Sequence, residues 1–368
     1  MPFNNIYRSK KVLVTGNTGF KGSWLITWLH HLGAEVYGLA LPPENDQWLF
    51  EQAGLKDICH HTDGDIRDLA LVRNVIAAVK PDIVLHLAAQ AIVRASYKDP
   101  VGTAATNIMG TVNVLEAIRN VDVPCAAVMI TSDKCYENRE WPYAYRENDP
   151  MGGHDVYSMS KGAAELVVAS YRRSFFPPEG SMAVASARAG NVIGPGDWAA
   201  DRIVPDAMRT LLRGEPLLVR NPGATRPWQH VLEPLSGYLW LGAKLLETNS
   251  GMFQDGWNFG PGLDAARSVG ELADAMVKTL GRGKWITDQV GKHPHEANFL
   301  RLSIEKASSL LGWSPVWNFE ATVKRTVEGY EQLIAAGNDA GGQREFLVGE
   351  IQAYTEAAGK IGNAWATV

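Results

Sequence analysis

The sequence predicts an α/β protein built on a doubly wound parallel sheet, with a smaller C-terminal region added to it. Three observations predict this. Apolar strand patterns alternate with amphipathic helix patterns from the N-terminus to about residue 190. The first strand, Val12-Leu13-Val14, runs into a turn with glycines at Gly16, Gly19 and Gly22. That turn opens directly into a helix spanning about Lys21 to Leu32. Glycines at such a junction permit a tight turn and let the backbone approach a pyrophosphate at the helix N-terminus. The fold class is therefore Rossmann-type.

Composition is that of an ordinary globular chain. The chain has 368 residues, 46% apolar and 20% charged, with a net charge of −5. Basic residues are scattered, which argues against a nucleic-acid surface. No apolar run approaches the roughly 18 residues of a membrane span. The N-terminus lacks the apolar centre of a signal peptide. The three cysteines, Cys59, Cys125 and Cys135, show no Cys-x-x-Cys spacing. These features predict a reduced, cytoplasmic protein with no metal site, no nucleic-acid partner and no membrane partner.

The elements follow in order. Lys11–Val14 is the first strand, and the turn after it carries Thr18 and Phe20 between its glycines. Glu35–Ala40 is the second strand. An acid at its end would bind the adenosine ribose, but Leu41-Pro42-Pro43 follows, with Glu44 and Asp46 only beyond. No arginine cluster offers itself to a 2′-phosphate, so NAD is favoured over NADP, with one ribose contact unassigned. Asp65 is placed to accept from an adenine amino group and Ile66 to pack on the ring; Asp68 or a neighbour caps the helix Leu69–Val79. Ile83–Gln90 is a fourth strand whose small end, Leu87-Ala88-Ala89, leaves room for a cofactor; His86 reads as a core histidine. Val101–Asn120 is a long helix. Its Asn107 either bridges backbone to an active lysine or is a polar surface residue. Ala126–Ile130 and Met182–Ala187 are further strands, and Arg188, which follows the second, is expected among the cofactor-binding residues of the cleft.

Asp155-Val156-Tyr157-Ser158-Met159-Ser160-Lys161 carries the chemistry. Tyr157 and Lys161 are one helical turn apart on one face. An ammonium beside a phenol favours the phenolate and moves its pKa from about 10 towards neutrality. Such a tyrosine can take a proton from a sugar hydroxyl as hydride leaves its carbon. The stretch Ser132-Asp133-Lys134 follows the strand Ala126–Ile130 and supplies a third polar cluster.

Beyond Gly196 the alternation breaks down. A helix opens near Arg202 and ends near Gly214; an apolar segment spans Leu235–Leu246; Trp257–Gly260 returns to the sheet; Val269–Leu280 and Val323–Ala335 are amphipathic helices. Arg94 is a further basic group near the small strand end. Asn191, Arg202, Arg220, Arg226, Trp228 and His295 are polar or stacking groups in irregular segments, where substrates are usually held. An arginine fork suits a diphosphate. Phe346, Leu347, Ile351 and Tyr354 recur at helical spacing and predict a C-terminal helix packed on the body or on a neighbouring subunit. The expected organisation is a nucleotide-binding domain over 1–189 with a return segment near 228–262. A substrate-binding region covers 190–227 and 263–340, and a helical tail covers 341–368.

Several stretches together resemble the extended short-chain dehydrogenases/reductases of the nucleotide-sugar type. They are Val14–Leu25, Thr131–Tyr136, Tyr145–Asn148, Met151–Gly153, Arg188–Gly194 and Arg226–Leu235, and the resemblance covers roughly Lys10–Leu333. Ser132, Tyr157 and Lys161 match the family's Ser–Tyr–Lys constellation. Most sugar-nucleotide 4,6-dehydratases carry Thr-Asp-Glu where this chain has Ser132-Asp133-Lys134, which is similar to the branch acting on CDP-glucose. The resemblance implies NAD as cofactor, CDP-glucose as substrate, a 4-keto-6-deoxy sugar as product, and a homodimer. It also implies that Asp133 is the acid at C6, and that Lys134 is either the base at C5 or an electrostatic stabiliser. Two rivals remain: another nucleotide-sugar enzyme of the same fold, such as a 4-epimerase, and a non-catalytic NAD(P)-sensing protein. Asp133-Lys134 disfavours the first, and the presence of Tyr157 and Lys161 disfavours the second.

Overall fold

Apolar strands buried on both faces need helices on both sides of the sheet, and the chain supplies them. The computed structural model describes residues 1–43, 45, 47–248, 251–262, 265–287 and 299–367. Its first half runs β1 Lys11–Thr15, α1 Phe20–His31, β2 Glu35–Ala40, α2 Leu49–Gln52, β3 His60–Asp63, α3 Leu69–Val79 and β4 Ile83–His86. Then come α4 Val93–Lys98, α5 Pro100–Ala104, a π-turn Ala105–Met109, α6 Gly110–Arg119, β5 Cys125–Ile130, α7 Val156–Phe175 and β6 Met182–Arg188. The remainder is β7 Val192–Ile193, α8 Ile203–Leu212, β8 Leu217–Val219, β9 Thr225–Pro227, β10 Gln229–His230, α9 Leu232–Thr248 and β11 Gly256–Asn258. It closes with β12 Ala266–Ser268, α10 Val269–Leu280, β13 Trp285–Thr287, α11 Phe319–Ala336 and α12 Ala340–Lys360.

The seven-stranded sheet has the order β11-β6-β5-β4-β1-β2-β3, and every pairing in it is parallel. The winding reverses between β1 and β4, and their carboxyl ends leave a crevice there. Side chains alternate between the two faces. Val12, Val14, Leu85 and Val128 face α1, α9 and α12. Leu13, Val84, Ala127 and Val184 face α3, α6 and α7. A second core lies outside the sheet, where Val204, Met208, Leu217, Leu272, Phe319 and Val327 meet. Among the described residues no helix is long and apolar enough to cross a membrane.

Some boundaries differ from the sequence reading. The strand expected over Ile83–Gln90 ends at His86, because the chain leaves the sheet there and the Ala88 amide turns to donate to Thr15 Oγ1 at 3.2 Å. The long helix expected over Val101–Asn120 is interrupted by its π-turn. The return strand begins at Gly256 and ends at Asn258, pairing with β6 at the sheet edge. Asn318 caps α11 through the Ala321 amide, so that helix starts earlier than its apolar pattern suggests. Asp68 caps α3 through the Leu71 amide, as its position implied. The C-terminal helix packs on the body: Leu347, Ile351 and Tyr354 join the core that holds Trp24 and Trp28 of α1.

One buried ion pair joins β6 to α7. Arg188 Nη2 donates to Glu165 Oε2 at 2.8 Å, and the side chains are only 5% and 4% exposed. Glu165→Ala would leave the guanidinium buried without its counter-charge. The expected loss is about 3–5 kcal/mol of stability, read as a lower midpoint in urea unfolding.

Candidate active site

The glycine turn forms a cradle. Gly16 has φ +76°, and a Cβ there would lie 2.7 Å from the Ala88 nitrogen; one on Gly22 would lie 2.1 Å from the Gly16 oxygen. Gly19 is the N-cap of α1 and has no side chain to satisfy the first amides of that helix. Those amides, at the positive end of a helix dipole, suit a pyrophosphate. Thr18 Oγ1 ties the turn to the end of β2 by donating to the Leu41 carbonyl at 2.9 Å. The residues present thus fit a dinucleotide.

A cleft of about 900 Å³ opens over this cradle. Gly16, Thr18, Gly19, Phe20 and Gly22 form one wall, with Asp65, Ile66, Leu87, Ala88 and Ala89 beside them. Asp65 is already engaged: it accepts from the Arg67 amide and from Arg67 Nε, both at 2.8 Å. The Arg67 hydrogen bonds hold its carboxyl below the usual range. Ile66 is buried against Gly110, where an added Cβ would meet it at 2.4 Å. His86 is a core residue, as its strand position implied. It lies 2.7 Å from Thr15 Oγ1, and burial, aided by the Lys161 charge, pushes its pKa down to about 3.

Asn107 bridges, but not to the lysine. It accepts from the Gln90 amide at 2.8 Å and donates to the Gln90 carbonyl at 2.9 Å and to Ser160 Oγ at 2.8 Å. Its partner on α7 is therefore the neighbour of Lys161. Arg188 stands away from the cleft wall. Besides Glu165, it donates to the Tyr136 hydroxyl at 2.6 Å and the Glu147 carbonyl at 2.9 Å.

The reactive groups converge on the opposite wall. Tyr157 and Lys161 are 8% and 6% exposed on the inner face of α7. Asp155 caps that helix through the Ser158 amide at 2.9 Å, which fixes where its first turn begins. Burial raises the Tyr157 pKa to about 12, and the hydrogen bond with Ser132 opposes it. This departs from the expectation that Lys161 lowers it: desolvation of the phenolate outweighs the other influences. Lys161 is itself pushed down to about 8 by burial, against the pull of Glu165. Ser132 caps the short turn Asp133–Cys135. Its Oγ donates to Asp133 Oδ1 at 2.8 Å and accepts from the Lys134 amide at 3.3 Å. Asp133 is buried, and its other oxygen accepts from Asn191 Nδ2 at 3.1 Å. A side chain at Gly190 would enter the Asp133 carboxyl at 2.0 Å. Lys134 is half-buried on the same wall.

The far half of the cleft is cationic. Arg202 pairs with Asp197 at 2.7 Å. Arg94 and Arg220 both approach Asp201, at 3.4 and 4.0 Å. Arg226 reaches the Thr225 carbonyl at 2.9 Å. Trp228 borders the cleft but is 5% exposed, with its indole N–H donating to the Arg267 carbonyl at 3.1 Å. It is a wall residue of the second core more than a free stacking face. His295 lies outside the described residues, as do Glu44 and Asp46.

Lys21 is the cleft residue that sequence reasoning missed. It follows Phe20 in the first turn of α1, and its Nζ lies 3.5 Å from the Tyr238 hydroxyl. Burial first, then the Arg202 and Lys161 charges, lower its pKa to about 7. The available signal was a lysine between Gly19 and Gly22, the one basic residue of the glycine turn.

A parallel seven-stranded sheet with Ser132, Tyr157 and Lys161 at its carboxyl edge is the arrangement of an extended short-chain dehydrogenase/reductase. The GDP-mannose 4,6 dehydratase family matches residues 13–326. The chain belongs to that family. It is 49% identical over 335 residues to a CDP-glucose 4,6-dehydratase of Salmonella typhimurium, covering 90% of this chain and 93% of that one. It is 27% identical to a dTDP-glucose 4,6-dehydratase of Xanthomonas campestris, covering 86% and 92%. Two solved structures share the fold. A Thermotoga maritima UDP-glucose 4-epimerase superposes with TM-score 0.75 at 22% identity, covering 88% of this chain and 99% of that one. A Bacillus anthracis dTDP-glucose 4,6-dehydratase in complex with NAD superposes with TM-score 0.72 at 21% identity, covering 88% and 97%.

The cradle can be tested through Gly22. Gly22→Ala forces its Cβ against the Gly16 carbonyl, and overpacking of this kind costs about 1–3 kcal/mol. NAD affinity should fall by about tenfold to a hundredfold, measured by titration calorimetry, while the circular dichroism of the sheet and helices persists.

Proposed function

We propose that this chain is a lyase that converts CDP-D-glucose to CDP-4-keto-6-deoxy-D-glucose and water by internal hydride transfer through NAD. The observation that carries the reading is the juxtaposition of Ser132-Asp133-Lys134 with Tyr157 and Lys161 at one cleft wall. An oxidation pair alone serves a dehydrogenase or epimerase; an added acid and amine serve an elimination. The Salmonella relative supplies the nucleotide and the sugar. The cradle from Gly16 to Gly22 would hold the pyrophosphate of NAD, with Asp65 and Ile66 at its adenine end. NAD, when bound, supplies a hydride acceptor that is regenerated within each turnover.

The protein's own residues handle the protons. Tyr157 takes the proton of the C4 hydroxyl as phenolate, a form that its burial opposes and that the positive charges of Lys161 and a bound NAD⁺ would favour. The resulting ketone acidifies C5–H. Asp133, as a neutral acid, donates to the departing C6 oxygen, which leaves as water. Lys134 removes the C5 proton and later returns it. Lys21 competes for that role, because burial already brings its pKa to about 7. Arg94, Arg202, Arg220 and Arg226 suit the diphosphate as planar cationic forks. The reading assigns residues 190–227 and 263–340 to the substrate, and the sheet to the dinucleotide.

Two further features support finer readings. The exposed apolar side chains Val101, Met109, Met159 and Leu166 lie on the adjoining helical runs of α5–α6 and α7, which suits a homodimer formed through these helices. Three buried free thiols suit a reducing, cytoplasmic setting, and the product suits deoxysugar supply for lipopolysaccharide O-antigen.

Turnover of CDP-glucose should leave no stoichiometric NADH. Asp133→Asn and Lys134→Met should each slow turnover by about 10²–10⁴-fold yet spare the first oxidation. Rapid mixing should then show bound NADH building up with a 4-keto hexose still carrying its C6 hydroxyl. If Lys134→Met turns over at the parent rate and Lys21→Met does not, the base is Lys21. Strand β2 runs into Leu41-Pro42-Pro43 without an acid. A missing charged hydrogen bond is worth about 1.5–3 kcal/mol, so added NAD⁺ should stimulate the purified enzyme. Full activity without added NAD⁺ would contradict this.

A further inference from the structure

Asp133 borders two spaces. One is the cleft. The other is a cavity of about 10 Å³, whose wall includes Asp133, Gln229, Gly260, Arg301 and Leu302. That is room for a single water molecule. The inner wall is buried: Asp133, Gln229 and Leu302 are 2%, 1% and 7% exposed. The rim, at Pro261, Gly262 and Arg301, is only half-buried and meets the solvent.

Two buried polar atoms of the wall residues, Gln229 Oε1 and Arg301 Nε, have no hydrogen-bond partner among the described residues. The Gln229 amide cannot be turned round, because its Nε2 already donates to the Gly190 carbonyl at 2.9 Å. Its oxygen can only accept, and the Arg301 nitrogen can only donate. A buried polar group left unmet costs about 1–3 kcal/mol. One water satisfies both, accepting from Arg301 Nε and giving one hydrogen to Gln229 Oε1. Its second hydrogen is then left for the third polar group of the wall, the Asp133 carboxylate. About three hydrogen bonds is the usual complement of a buried water. The proposed reaction gives this water a task. Asp133 loses its proton to the departing C6 oxygen and must regain one before the next sugar reacts. Ser132 Oγ at 2.8 Å and Asn191 Nδ2 at 3.1 Å already occupy its two oxygens.

We propose that this cavity binds one water molecule, held by Gln229 and Arg301, and that this water reprotonates Asp133 through the cavity and not through the cleft. The inference rests on the dehydratase reading above. In the step, a solvent proton arrives at the rim on the oxygen of the cavity water. One of the water's own O–H bonds breaks as its hydrogen passes to the Asp133 carboxylate. Nothing is oxidised or reduced, and solvent water is the co-reactant. The proton that Tyr157 took from O4 returns to solvent on the cleft side once the product has left, so each turnover closes with no net proton. Gln229 and Arg301 are positioning residues: they act through the water and not on the sugar.

The test closes the cavity and separates the first turnover from those that follow. In Gly260→Ala the new Cβ meets nothing closer than Ile304 Cγ2 and Leu302 Cβ, both at 3.6 Å, so a methyl enters beside Leu302 without strain. Arg301→Met removes the donor and keeps an apolar stem. The parent and both variants, loaded with NAD⁺, are mixed with excess CDP-glucose and quenched over milliseconds to minutes, in H₂O and in D₂O. Each variant starts with Asp133 protonated, so its first product per site should form at the parent rate. Later turnovers should then be slower by about tenfold or more, and that slow phase should fall further in D₂O. A slower first turnover shows structural damage and overturns the proposal. So does a slow phase that D₂O leaves unchanged, which reports product release, and so do parent kinetics throughout. If Gly260→Ala does not fold, Arg301→Met decides alone. A parent enzyme that makes no 4-keto-6-deoxy product removes the dehydratase reading and the water's role with it; a normal parent with the wrong kinetics in the variants removes the water's role alone.

Discussion

The contact between Arg188 and Glu165 fixes the geometry on which the candidate site depends. Glu165 lies one turn beyond Lys161, which lies one turn beyond Tyr157, so the three share one face of α7. Glu165 also accepts from Thr131, the residue before Ser132, and from Ser186 at 2.7 Å. Arg188 reaches the other way, to Tyr136 and to the Glu147 carbonyl. One ion pair thus links β6, α7 and the turn after β5, and two of these carry the reactive side chains. Buried charges are costly unless all their hydrogen bonds are met, and that cost makes the arrangement specific. A shift of any one element would strand a charge.

The cleft is organised by a second electrostatic constraint. Lys21, Lys161 and Arg202 sit around Asp133 and Asp197 in a partly desolvated space. Burial pulls Lys21 and Lys161 both towards neutrality, and at Lys21 the Arg202 and Lys161 charges add to the effect. Arginine cannot respond this way and remains charged. The wall therefore contains two kinds of cation: lysines able to move protons, and arginines able only to hold anions. This division suits proton transfers at the sugar beside a fixed diphosphate.

Much of this was legible in the sequence, for definable reasons. The glycine turn is read from spacing because only glycine admits the backbone approaches at Gly16 and Gly22. The pairing of Tyr157 with Lys161 is read from helical period. Arg188 was misplaced because an arginine ending an apolar strand resembles a cleft residue. Yet Val184, Ser186 and Arg188 share strand parity, and that parity turns the guanidinium onto α7. Of the two roles the sequence leaves open for Asn107 the structure shows a bridge, but to Ser160 and not to the lysine, and that partner on α7 depends on the π-turn, which no local pattern announces. The burial of Trp228 and the place of Lys21 were hidden because the first depends on the second core and the second on Tyr238 of α9, elements far away in sequence.

Two buried carboxyls show how completely the partner decides the charge. Burial pushes Glu165 up, but the Arg188 charge and its hydrogen bonds outweigh this and leave its pKa below the usual value. Glu233, at the start of α9, is equally buried but meets only neutral donors: the Val316 and Trp317 amides and the Tyr354 hydroxyl of α12. Burial raises it to about 7. The two act on stability with opposite signs. The Glu165 contribution is present above the ordinary carboxylate range and is lost as pH falls through its depressed pKa. The Glu233 contribution is fully present below the ordinary range and is lost as pH rises through about 7. The joint between α9 and the C-terminal helix is therefore favoured by mild acid, while the joint beneath the reactive side chains is favoured by neutral and higher pH. Both are satisfied together only in the window where Glu165 is ionised and Glu233 still holds its proton.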